Sequence, residues 1–99
     1  MNPLRISPRA VADLEKIGDY IARDNPARAA SFVDELNEVC RRIHHNPEAY
    51  ASRSDIAPGL RMAVHRHYLI FFRVLLNEIR IERVLHGARD IPPQLLDET

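Results

Sequence analysis

Tryptophan is absent from the 99 residues, cysteine and lysine each occur once, and glycine occurs only three times. The single cysteine, Cys40, cannot close an intramolecular disulfide, so the chain must fold on its core, which fits a reducing, cytoplasmic compartment. No run approaches the ~18 apolar residues of a bilayer span, and the opening Met1-Asn2-Pro3-Leu4-Arg5-Ile6 has no apolar signal region. Neither a membrane segment nor a targeting peptide is expected. Charge of one sign is lacking too, since 14 Lys plus Arg balance 14 Asp plus Glu. A net-neutral chain has no global field to draw it onto nucleic acid or a membrane surface. Also missing are a Gly-rich phosphate loop, a nucleophile elbow and the paired carboxylates of glycoside chemistry.

What is present is an ordinary folding composition, 45% apolar and 28% charged, in a length that suits one domain over residues 1–99. Leu4-Arg5-Ile6 alternates like a short strand, and Ser7-Pro8 reads as a helix cap followed by proline at the first helical position. Val11, Leu14, Ile17 and Ile21 then recur at helical spacing, with Asp13, Glu15, Lys16 and Asp19 elsewhere on the wheel. Asn25-Pro26 ends that helix and caps a second, whose stripe is Ala29, Phe32, Val33, Leu36, Val39, Cys40 and Ile43. Residues 46–59 read as an irregular connection. Beyond them the period falls to two: Leu60 to His65, a nearly continuous apolar run from Tyr68 to Leu76, and Ile79 to His86. The first hairpin turn is placed near His65-Arg66-His67, and a two-residue loop at Asn77-Glu78. Gly87 ends the last strand, and residues 91–96 can form at most a single docked turn. The order predicts an α+β domain: an N-terminal short strand, then an antiparallel helical hairpin packed on one face of a small antiparallel sheet.

Charge is segregated along this plan. Residues 1–45 hold seven basic and seven acidic side chains, whereas residues 60–89 hold six arginines against Glu78 and Glu82 alone. Thirteen of the fourteen basic residues are arginine, which suits bidentate pairing with carboxylate or phosphate. Arg61, Arg80 and Arg83 serve equally as the polar outer face of a half-buried sheet or as an anion-facing surface. Arg73 interrupts an apolar strand and requires a carboxylate partner or a site to serve.

His65, His67 and His86 are numerous enough for a zinc site, but no cysteine pair, HExxH or carboxylate at ligand spacing accompanies them, so no metal is expected. His44 and His45 sit at a helix end, where contact with the last carbonyls is their expected role. Cys40 lies on the apolar stripe as a small core hydrophobe. Metal-free RNA cleavage would need a base, an acid and cations on the oxyanion. Arginines and His86 supply the latter two, while Glu78 and Glu82 read as solvated surface charge, leaving no base.

Leu4 to Ser7, Ala10, Asp13, Leu14, Ile17, Tyr20-Ile21, Asn25-Pro26, Gly59-Leu60-Arg61, Tyr68-Leu69-Ile70-Phe71-Phe72-Arg73 and the closing Arg83-Val84-Leu85-His86-Gly87-Ala88-Arg89-Asp90 together form a pattern. It resembles the ParE branch of the RelE/ParE toxin superfamily over nearly the whole chain. The resemblance implies the toxin of a type II toxin–antitoxin, plasmid-stabilisation module, with the hairpin-on-sheet fold already read from the residues. It implies a ParD-like antitoxin with an acidic C-terminal segment as partner in a hetero-oligomer, DNA gyrase as target, and no cofactor. RelE-like members instead cleave messenger RNA in the ribosome, usually with a catalytic tyrosine near the C-terminus and lysines in the sheet. This chain has no aromatic residue beyond Phe72 and its one lysine is Lys16, which favours ParE. The antitoxin- or target-binding surface expected by this resemblance comprises Arg61, Tyr68, Phe72, Arg73, Arg83, His86 and Arg89. If the chain were a nuclease, His86, Arg83 and Arg61 would be its catalytic groups. An interaction module without toxicity is the third class.

Overall fold

Ser7 fixes the first helix to the last strand. In the computed structural model, which describes residues 2–88, its hydroxyl accepts from Ala10 N at 3.0 Å, and Pro8 takes the first helical position. Helix α1 (Pro8–Ala22) therefore starts at the expected residue. The same hydroxyl donates to Glu82 O at 2.9 Å, and Ser7 N donates to Ile81 O at 3.0 Å. Strand β1 (Leu4–Ile6) runs directly before it. Asn25 caps α2 (Pro26–His45) in the same manner, accepting from Arg28 N at 3.0 Å. Where the two helices meet, a Cβ at Gly18 would stand 3.4 Å from Val33 Cγ2, so the missing side chain allows their close approach.

The other strands are β2 (Ala51–Ser52), β3 (Leu60–His65), β4 (Tyr68–Val74) and β5 (Ile79–His86), in the spatial order β1-β5-β4-β3-β2. Two helices on one face of this sheet make the expected α+β architecture. The sheet is mixed, however: β1 runs parallel to β5 through Leu4↔Ile79, Arg5↔Arg80 and Ile6↔Ile81. The connection over residues 46–59 is also more ordered than expected, holding a 3₁₀ turn (Pro47–Ala49) and the edge strand β2. Strand β4 stops at Val74, not Leu76, because Leu75 N donates to Glu78 O at 2.8 Å and closes a longer loop than Asn77-Glu78 alone.

The main core joins Ile17 of α1 and Phe32, Leu36, Val39 and Ile43 of α2 to Ile70, Phe72, Ile81 and Val84 of the sheet. Residues of alternate parity point to the other face. There Leu60, Phe71 and Leu85 form a second cluster under Ile56 and Ala57 of the 46–59 segment. That cover on both faces is why β4 reads as a nearly continuous apolar run, broken at Arg73. Between β4 and β5 the register shifts from Phe71↔Arg83 to Phe72↔Ile81, leaving Glu82 as the extra residue of a bulge. The Cys40 thiol is buried, and desolvation pushes its pKa up to about 11. No helix among the described residues is long and apolar enough to cross a membrane.

Candidate binding cleft

Four elements converge at the tip of the helical hairpin. Helix α1 delivers Tyr20 and Ile21 in its last turns, and α2 delivers Arg28 and Phe32 in its first two. The β3–β4 turn brings Arg66 and His67, and the paired ends of β4 and β5 bring Tyr68 and His86. They enclose an open cleft of about 490 Å³, within the usual range for ligand sites. Its floor is a chain of ring contacts. The Arg28 guanidinium carbon lies 4.9 Å over the Phe32 ring, Phe32 lies 5.4 Å from Tyr68, and His86 meets Tyr68 edge-on at 5.2 Å. His67 stacks on His86 at 5.9 Å.

Glu35 ties the rim together from below. Arg28 Nη1 reaches its Oε2 at 2.6 Å, His65 Nε2 meets Oε1 at 2.7 Å, and Arg66 Nε stands 3.6 Å from Oε1. The Arg28 hydrogen bond first, and that of His65 second, hold the Glu35 carboxyl down to about 2. One carboxylate thus serves two guanidiniums, and among the described residues lining the cleft none is acidic. Arg66 also carries backbone strain: its φ is 55°, in the left-handed region, at the first loop position of a two-residue hairpin. Glycine suits that position without a side-chain clash.

The expected surface residues do not assemble as one patch. Tyr68 and His86 line the cleft. Arg61 lies elsewhere, donating to Tyr50 O at 2.7 Å. Phe72 is a correction, because it is fully buried in the main core and meets Tyr50 edge-on rather than a partner. Arg73 finds the carboxylate its position demanded, Glu82 at 2.9 Å, and also donates to Pro58 O at 3.2 Å. Arg83 forks onto Asp13, with Nε at 2.8 Å from Oδ2 and Nη2 at 3.0 Å from Oδ1. Arg89 lies outside the described residues, as does the turn expected at 91–96.

Several acids are likewise not where they were expected. Asp13 is buried, not solvent-facing, and also accepts from Val84 N at 3.0 Å. Ala10, Asp13 and Ile17 sit at steps of three and four, so the spacing carried this signal. Glu78 and Glu82 are mostly buried rather than solvated: Glu78 bridges Arg5 at 3.1 Å and Arg80 at 2.7 Å, and Glu82 holds Arg73. These two acids offset a like-charge row, since Arg5, Arg80 and Arg73 stand directly opposite one another on β1, β5 and β4. His44 reaches Asn2 O at 2.8 Å instead of the carbonyls of its own helix end. His65 turns to Glu35 while His67 stacks on His86, so the three imidazoles do not converge on one point.

The arrangement defines a small α+β protein with a cationic, apolar cleft at one end of its helical hairpin and arginine networks locking the sheet. The family model described as "ParE toxin of type II toxin-antitoxin system, parDE" matches residues 4–91, and the chain belongs to that family. Toxin ParE1 of Caulobacter vibrioides is 32% identical over 89 residues, spanning 89% of this chain and 92% of the relative. Toxin ParE3 of the same organism is 26% identical over 88 residues, 88% of each chain. A solved structure described as "Chromosomal ParDE TA system from P. aeruginosa" superposes with a TM-score of 0.78 at 28% identity, covering 87% of this chain and 96% of that one.

Proposed function

We propose that this ParE toxin acts by gripping DNA gyrase through protein–protein contact, and that a ParD-like antitoxin with an acidic C-terminal segment holds it silent in a hetero-oligomer. Beyond family membership, one geometric observation supports this over RNA cleavage: the three groups a nuclease would use are dispersed. Arg83 is committed to Asp13, and Arg61 to the Tyr50 carbonyl. His86 pairs with Tyr68 and Arg61 with Phe72, four residues apart along β4, a separation of about 13 Å at the usual strand rise. A base, an acid and an oxyanion cation must instead meet around one phosphate.

The test is induction without antitoxin, with DNA replication and protein synthesis followed separately, beside a supercoiling assay on purified gyrase. Replication should stop first, and supercoiling should fail at stoichiometric excess of toxin. Untouched supercoiling, together with message cut within codons in a translating extract, would replace this mechanism with the endonuclease one. Normal growth on induction would leave only an interaction module.

A further inference from the structure

We infer that the cleft at the hairpin tip is the docking site for an extended acidic peptide segment, one that seats an apolar side chain against Tyr20 and Ile21 and flanks it with carboxylates for Arg28 and Arg66. The inference rests on the toxin–antitoxin reading for the source of that segment, the antitoxin, and on the cleft's own chemistry for everything else.

Charge complementarity selects the occupant. The walls bear two guanidiniums and two imidazoles with no acid among the described lining residues. The nearest carboxylate, Glu35, already has both oxygens occupied by Arg28 and His65. The N-terminus of α2 opens beside Arg28 without an acidic residue in its first turn, so its positive end adds to the same field. The second cationic cleft, bounded by Arg5, Arg73 and Arg80, differs because Glu82 lines it and Glu78 and Glu82 engage its arginines.

The position of Arg66 adds to this. Its positive φ is the one a two-residue hairpin sets at its first loop position, which places the side chain on the rim of the cleft. The internal contact of Arg66 is weak, 3.6 Å to an oxygen His65 already engages, and its side chain is 61% exposed. The side chain is therefore accessible to a carboxylate of a segment docked in the cleft.

A peptide fits better than a nucleobase. Arg28 covers the Phe32 ring, which itself is 4% exposed, and Tyr68 is 7% exposed. Neither ring offers the open face that base stacking needs, and Tyr20 with Ile21 forms a narrow apolar wall suited to one side chain rather than to successive stacked bases.

The probe is a fluorescein-labelled peptide alternating glutamate with leucine around one phenylalanine, titrated with the full-length chain by anisotropy. Its glutamine counterpart and a labelled single-stranded oligonucleotide run beside it. The acidic peptide should bind, weaken with added salt, and exceed the glutamine version by on the order of tenfold. Arg66→Gly should lose that margin while melting no lower than the parent, because glycine relieves the turn; Arg66→Lys should keep most of it. Equal binding by parent and Arg66→Gly, no binding of the acidic peptide, or preference for the oligonucleotide would each overturn the assignment. Growth readouts separate this from the toxin reading. An antitoxin that neutralises Arg66→Gly as well as the parent sinks the cleft assignment and leaves the toxin standing. A chain that does not arrest growth sinks the toxin, while the titration still decides the cleft.

Discussion

Replacing Asp13 by alanine should be among the most damaging single changes in this protein. The carboxylate accepts three hydrogen bonds, two from the Arg83 guanidinium and one from Val84 N, with side-chain exposures of 9% for Asp13 and 15% for Arg83. Its removal leaves a largely desolvated guanidinium and the buried Val84 N–H of β5 without their acceptor. Breaking a buried ion pair from one side costs ~3–5 kcal/mol. Domains of this size have ~5–15 kcal/mol in total, so about a fifth or more of the stability is at stake. For a domain of about 100 residues each kcal/mol shifts Tm by roughly 4–8 °C; the expected fall is on the order of 15 °C or more. Asp13→Asn keeps one acceptor oxygen and should fall between parent and alanine variant.

The decisive comparison is Asp13→Leu with Arg83→Leu. Removing both charges takes away the stranded guanidinium and leaves only the Val84 N–H, a penalty of about 1–3 kcal/mol. The pair should thus melt above Asp13→Ala alone, although it carries one more substitution. Thermal unfolding followed by circular dichroism measures each value. An alanine variant melting within about 4 °C of the parent, or a double variant no better than the single, would refute the claim that burial makes this pair costly to break.

Two further outcomes follow from single groups. Glu35 is held at about 2 against an ordinary 4.5, so its stabilising contribution is complete above 4.5 and is lost as pH falls through 2. Glu35→Gln should flatten the decline of Tm across that window, and an unchanged slope would show that the Arg28 and His65 contacts do not favour the folded state. The Cys40 thiol, raised to about 11 by burial, should resist alkylation in native buffer near neutral pH and label only as denaturant opens the core; prompt labelling of the folded chain would contradict the packing of α2.

The helices were legible because their signals are local. Ser7-Pro8 and Asn25-Pro26 combine a side-chain acceptor with a proline that needs no hydrogen-bond partner, and each sits where its helix begins. The parallel pairing of β1 was not legible, since three residues carry no mark of which distant edge they join. Nor was β2, only two residues long. The cleft was half legible. Tyr68 and His86 lie in the recognisable final strands, but Tyr20, Arg28, Phe32 and Arg66 meet them only through the topology. Arg66 left the one local trace, a hairpin turn with no glycine where the backbone favours one.

The preference for arginine over lysine acquires a physical meaning from the contacts. Arg83 grips Asp13 with two nitrogens at once, and Arg53 grips Asp55 in the same way at 3.0 Å and 3.0 Å. Arg28 uses one guanidinium to reach Ser31 and Glu35 while lying over Phe32. A lysine ammonium is a point charge and cannot hold a planar fork and a ring face together. Guanidiniums therefore lock helices, sheet and hairpin turn, and in doing so occupy Asp13, Glu35, Glu78 and Glu82. The chain is neutral as a whole, yet these four acids are tied up inside the locks. At the hairpin tip one acid answers for two arginines, and that leaves a positive, apolar face on a protein whose total charge gives no sign of it.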